Sequence, residues 1–338
     1  MANATGNDRG DHLSRALAGR GAFAYVASQR SPHAVHRDAA PANDERRGYV
    51  LNTAKKWIVE TDWLAEHLDA PDLVVFDASW HLPTAGRDPK AEYLEAHVPG
   101  ALFFDIEDLR DEKSSLPHML PSTVKFASRM KKLGVGDGIR IIVYDTEGMF
   151  SAPRVWWTFR AMGHDDVAVL NGGLKKWKAE GRPLDSGPPR KRPECHYTPM
   201  MNASLIRDRD DIKQTLARKD AQLVDARPAA RFAGSEPEPR PGVRSGHIPG
   251  SRNVPSQSLI NADGTLKAPE ELARIFRDAG IEPSRPVVTT CGSGVTASIL
   301  SLALAVLGQT NAAVYDGSWA EWGADESLPM ETGAAAAG

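Results

Sequence analysis

The sequence predicts an α/β protein of two tandem domains, each a mostly parallel sheet with helices on both faces. Three observations carry this. The chain has 338 residues, 41% hydrophobic and 25% charged, the composition of an ordinary globular protein with length for about two domains. It repeats itself: LVVFDASW (Leu73 to Trp80), AHVPGALFFD (Ala96 to Asp105), RIIVYDTEGMFSAPRVWWTFRAMG (Arg140 to Gly163) and VLNGGLKKW (Val169 to Trp177) are matched by AQLVDARP (Ala221 to Pro228), GHIPGSRNVP (Gly246 to Pro255), PVVTTCGSGVTASILSLALAVLG (Pro286 to Gly308) and VYDGSWAEW (Val314 to Trp322). Asp77 pairs with Asp225, His97 with His247 and Tyr144-Asp145 with Thr290-Cys291, in one order and at a nearly constant offset. Within each unit, short apolar strands alternate with helical segments, the pattern of strand-helix-strand crossovers that build parallel sheets.

In chain order, residues 1–56 read as a disordered or targeting segment. Between His12 and Arg37 there is no acidic residue, while Arg15, Arg20, Arg30 and Arg37 alternate with apolar, Ala and Ser positions, as in mitochondrial or plastid transit peptides. Asp8 and Asp11 count against that, so both a mitochondrial and a cytoplasmic location stay open. Residues 57–183 form the first domain, 184–200 a Pro-rich, charged linker, 201–330 the second domain and 331–338 a tail. A net charge of -3 gives no reason to expect nucleic acid or an anionic membrane as partner, and no apolar run is long enough to span a bilayer. With only Cys195 and Cys291, a disulfide framework is not expected. No Cys/His cluster has metal-ligand spacing.

The most informative stretch is Val287 to Gly308. Val287 to Thr290 has the β-branched content of a buried strand and Thr296 to Leu307 the Ala/Leu content of a buried helix. Cys291 therefore falls in a glycine-rich strand-to-helix turn, where Gly292 and Gly294 allow tight curvature, open backbone N–H groups, and a helix dipole aimed at the loop. Such a loop favours an anion, and thiolate is the nucleophilic form of cysteine. The bland alternative is a buried structural cysteine. The first unit has Asp145 at this position, followed by Glu147, so it lacks a thiol and the second unit is expected to be catalytic.

The motifs DASW, HVPG, SAPRVWW and GGLKKW, then DARPAARF, EPEPR, GHIPGS, CGSGVTA and YDGSWAEW, resemble the two-domain rhodanese family over about Trp57 to Pro329. Within it, the loop CGSGVTA is similar to that of 3-mercaptopyruvate sulfurtransferases, whereas thiosulfate-specific rhodaneses carry a basic loop. The resemblance implies that Cys291, with no metal or organic cofactor, takes sulfur from 3-mercaptopyruvate as a persulfide, releases pyruvate, and passes the sulfur to a thiol such as thioredoxin or glutathione, or to cyanide. It implies substrate-binding roles for Arg231 and Arg240, whose planar forks suit a carboxylate. The amides of Gly292, Ser293, Gly294, Val295 and Thr296 would surround the sulfur and developing charge. A proton-handling triad in related enzymes maps onto Ser293, His118 and Glu107, with Asp105 or Asp108 as alternatives to Glu107. Arg227 and Arg244 read as supporting residues, and His97, His247, Trp156, Trp157, Trp177, Trp319 and Trp322 as packing or turn residues.

Rival readings are weaker. A cysteine phosphatase needs an arginine six residues after the cysteine, where this chain has Ala297. A sulfur-carrier module would hold a persulfide without turning over the donor. Thiosulfate:cyanide sulfur transfer is the alternative enzyme reading, disfavoured because no Lys or Arg lies between Cys291 and Gly308.

Overall fold

A computed structural model describes residues 56–334; expectations for residues 1–55 and 335–338 lie outside the described residues. The first half runs β1 (Ile58–Val59), α1 (Thr61–His67), β2 (Leu73–Asp77), α2 (Pro89–Glu95), β3 (Leu102–Phe103), α3 (Thr123–Lys132), β4 (Arg140–Tyr144), α4 (Ala152–Ala161), β5 (Val167–Leu170) and α5 (Gly173–Ala179). The second half repeats this as β6 (Ile206–Arg207), α6 (Arg209–Arg218), β7 (Gln222–Asp225), α7 (Ala229–Ala233), β8 (Arg252–Asn253), α8 (Pro269–Asp278), β9 (Val287–Thr290), α9 (Ala297–Val306), β10 (Ala313–Tyr315) and α10 (Ser318–Trp322). The sheets have the orders β1-β5-β4-β2-β3 and β6-β10-β9-β7-β8. Every strand pair within them is parallel, with Val74 opposite Ile141 and Leu223 opposite Val288.

LVVFD of β2 and VVTT of β9 are buried at every residue, as strands covered on both faces must be. The two-residue strands β1, β3, β6 and β8 escape sequence reading, because two residues show no periodicity.

The helices after the two symmetry-related loops, α4 (APRVWWTFRA) and α9 (ASILSLALAV), are buried at every residue and pack against each other between the halves. Helices buried at every residue need cover all round, which each half obtains from the other. One continuous apolar core therefore includes Phe76, Trp156 and Phe159 of the first half and Val224, Leu300 and Phe276 of the second.

The histidines of the paired turns are structural. His97 stacks on Tyr93 at 4.1 Å and His247 on Phe232 at 3.8 Å. Their backbones bridge to Asp185 and Glu331, respectively. Asp185 is tied into the first half, and Glu331 and Gly333 into the second through His247 and Ala233.

Because the core is shared, the halves should unfold together. Leu300→Ala is expected to cost about 2–5 kcal/mol, moving a single denaturant transition of the whole chain to lower concentration. Two separate transitions, only one of them shifted, would contradict a shared core.

Candidate active site

Cys291 directly follows β9, at the carboxyl edge of the sheet, where parallel α/β sheets place ligands. It is 1% exposed, and the Ser293 N–H lies 3.4 Å from its Sγ. The loop is fixed from outside. Ser318 Oγ accepts the Cys291 N–H at 3.3 Å while donating to the Tyr315 carbonyl at 2.8 Å. Trp319 and Ala320 donate N–H bonds, each 2.9 Å, to the carbonyls of Cys291 and Gly292. Gly294 has φ +78°, and a Cβ there would lie 2.9 Å from Arg154 Nη1, so both conformation and space require glycine.

The first half shows what this type of loop holds. Asp145, at the position of Cys291, is buried and receives five backbone N–H bonds of 2.7–3.0 Å from Glu147, Gly148, Phe150, Ser151 and Ala152. Burial leaves its pKa raised, and the amides offset part of that rise. Two oxygens taking five donors leave no place for a carboxyl proton, so the cradle holds an anion.

The two arginines expected to bind substrate converge on the cysteine loop. A Cβ on Gly292 would lie 3.4 Å from Arg231 Nη2 and 3.8 Å from Arg240 Nη1. Arg231 also pairs with Glu238, a 3%-exposed carboxylate that Arg227 meets at 2.8 Å. Arg227 itself is anchored by Asp225 at 2.6 Å and lies over the Trp319 ring. Arg240 has no carboxylate partner among the described residues. One guanidinium is thus partly neutralised and the other uncompensated, a division the sequence did not reveal because Glu238 lies in an unremarkable acidic loop.

His118 and Glu107 are joined across a Nε2···Oε1 distance of 2.9 Å, and the Trp80 indole N–H donates to the same oxygen at 3.0 Å. The His118 bond is the main reason the Glu107 carboxyl titrates below its ordinary range. A carboxylate only accepts, so Nε2 carries a proton whether the imidazole is neutral or charged. Nδ1 is buried and has no partner among the described residues. Of the two alternatives, Asp105 caps the local turn through the N–H groups of Glu107 and Asp108, while Asp108 pairs with Arg129 at 2.6 Å. Neither contacts His118. Ser293 is 7% exposed, and its hydroxyl has no partner among the described residues.

Sequence reading missed Arg154 and Asp316, which join these parts. Arg154, 2% exposed on α4, bonds Asp316 Oδ1 at 2.6 Å and the His118 carbonyl, and reaches within 3.5 Å of the Gly294 carbonyl. Asp316 Oδ2 takes the Leu120 N–H at 2.8 Å. His118 has the unfavourable φ of 59°, and Arg154 and Asp316 hold the backbone at and just after it, through the His118 carbonyl and the Leu120 N–H. The available signal was a charged residue in the first turn of a helix, APRVWWTFRA, whose next three residues are apolar. Cys195, half-buried in the linker, has only the Pro193 carbonyl near its sulfur, at 3.6 Å. No cluster of potential metal ligands occurs among the described residues.

The model of the rhodanese-like domain matches residues 60–180 and again 208–325. The chain belongs to the rhodanese family. It is 45% identical over 276 residues to 3-mercaptopyruvate sulfurtransferase of Escherichia coli K12, spanning 81% of this chain and 98% of the relative. It is likewise 45% identical over 272 residues to thiosulfate sulfurtransferase of Rattus norvegicus, spanning 78% and 91%. The crystal structure of SseA from Escherichia coli, with the rhodanese fold, superposes with a TM-score of 0.72 at 43% identity, covering 78% of this chain and 99% of that one. The chain is accordingly a sulfurtransferase.

Two outcomes are expected from this geometry. Arg154→Met strands a buried carboxylate at Asp316 and should cost about 3–5 kcal/mol in denaturant unfolding; a loss within error would remove the pair as a structural anchor. Glu107 has a folded pKa below its unfolded value, so its stabilising effect is present above the unfolded pKa of about 4.3 and disappears as pH falls through the folded value. Wild type should therefore exceed Glu107→Gln in stability at neutral pH, with the gap closing on acidification. A gap that widens in acid would refute this.

Proposed function

We propose that the protein is a 3-mercaptopyruvate sulfurtransferase whose Cys291 thiolate attacks the sulfur of the donor. A sulfur–sulfur bond forms and the donor's carbon–sulfur bond breaks. The released electron pair passes into the enolate of pyruvate, which takes up a proton as pyruvate departs. An acceptor thiolate, or cyanide, then attacks the outer sulfur and restores Cys291.

The observation that carries this reading is the amide cradle around Asp145. In the first half the loop surrounds a carboxylate with five N–H donors; in the second, the matched residue is a cysteine. The amides of Gly292, Ser293, Gly294, Val295 and Thr296 would hold a persulfide as those of the twin hold its carboxylate. Arg231 and Arg240 beside Gly292 suit a donor with a carboxylate. Ser293 would hydrogen-bond the enolate oxygen, and His118, held by Glu107, would move the proton.

Thiosulfate remains the alternative donor, as one similar relative bears that name. As a dianion it prefers a cationic loop, and the residues from Gly292 to Leu307 include no Lys or Arg.

Turnover of mercaptopyruvate and of thiosulfate should be compared under one acceptor. We expect mercaptopyruvate to give the higher kcat/KM; a higher value for thiosulfate would overturn the donor assignment. Arg240→Ala should lower kcat/KM for mercaptopyruvate roughly ten- to a hundredfold, the loss of a charge-assisted bond of about 1.5–3 kcal/mol. Unchanged kinetics would exclude Arg240 from carboxylate binding. His118→Gln should depress turnover and flatten its pH profile; unaltered activity across neutral pH would remove the proton-handling role.

A further inference from the structure

On the second half, at the end of the sheet opposite Cys291, a cavity of about 640 Å³ opens at the start of β7, between the end of α6, the turn before β8 and the segment leading to β9. Leu216, Leu223 and Ile281 contribute apolar wall, and Lys219, Arg252 and Arg285 contribute charge. No carboxylate lines it. None of the three cations has a salt-bridge partner among the described residues. Glu331, the acid nearest the turn, is engaged by the Gly250 N–H at 3.2 Å and lies 3.8 Å from His247. Asp220 and Glu282, near Lys219 and Arg285 in sequence, are outside the lining.

The duplication supplies an internal control. Arg252 pairs with Val224 as Leu102 pairs with Phe76, so Arg252 matches Leu102. Val287 pairs with Gln222 as Ile141 pairs with Val74, which places Arg285 on Ile139 and Lys219 on Pro71. The first half forms the same fold with no cation at any of these positions, so the fold itself does not require them. Lys219 and Arg285 are exposed and Arg252 half-buried, so these like charges are left to solvent and to any counter-charge that enters the cavity.

We propose that this cavity binds a small amphipathic anion, an anionic head on an apolar body, with the head among Lys219, Arg252 and Arg285 and the body against Leu216, Leu223 and Ile281. Lying at the opposite edge of the sheet from Cys291, its occupant would not compete with the sulfur donor.

The test is a fluorescence titration with anilinonaphthalene sulfonate at low salt in the R231Q/R240Q background, which removes the active-site arginines from the count. Saturable binding is expected there, displaced by decanoate but not by inorganic phosphate at equal concentration. Adding K219Q, R252Q and R285Q should weaken it roughly tenfold or more, as loss of charge-assisted contacts predicts. In an otherwise wild-type chain, the same three substitutions should leave sulfur transfer unchanged, which reports intact folding. If the triple variant is unstable, the exposed single variant R285E should still weaken binding severalfold. Undiminished binding in either variant would overturn the site, and displacement by phosphate as effective as by decanoate would overturn the amphipathic assignment.

Discussion

The buried ion pair of Arg154 and Asp316 is the point on which the two halves and the site depend. The guanidinium comes from α4 of the first half and the carboxylate from the turn after β10 of the second, 2.6 Å apart and both nearly inaccessible to water. Arg154 has the planar donor set to serve Asp316, the His118 carbonyl and the edge of the Cys291 loop at once, and its face rests on Trp157 at 4.4 Å. Desolvating both charges costs stability that such a pair only partly returns. What the pair fixes is geometry: the cysteine loop and the histidine segment are set against each other by one rigid fork. Gly294 has to be glycine partly because that fork occupies the space of its side chain.

Around this pair, duplication has produced two loops of the same kind with different contents. In the first half Asp145 fills its own cradle, and Glu147 at the loop's rim is paired with Arg87. The loop is closed to chemistry because its anion is covalently built in. In the second half the matching residue is a cysteine followed by neutral residues, and the nearby charges are those of Arg231 and Arg240 outside the loop. Through Arg154, the His118 segment of the first half is tied to the Cys291 loop of the second.

Most of the architecture was legible because the motifs occur twice in register and the long strands and helices follow strong burial patterns. The Cys291 turn was legible for a related reason: β-branched strand, glycines and apolar helix each state their conformation locally. Arg231 and Arg240 were placed by resemblance and are close to Gly292 in the fold. Less legible was anything that depends on contact across the halves. Arg154 reads as one charge in a hydrophobic helix until Asp316, far away in sequence, is brought to it. Glu238, between Arg227 and Arg231, looks like a solvated loop acid until the loop folds back. The choice among Asp105, Glu107 and Asp108 turned on side-chain direction, which sequence spacing does not give. Edge strands of two residues carry no pattern at all.

The central claim is that Cys291, and not Cys195, carries the transferred sulfur. Intact-protein and peptide mass spectrometry after mixing enzyme with mercaptopyruvate and no acceptor tests it directly. The account predicts a gain of one sulfur atom on the peptide containing Cys291, lost when an acceptor thiol is added and absent in Cys291→Ser. An unmodified Cys291 during turnover, or the added sulfur on Cys195, would contradict it.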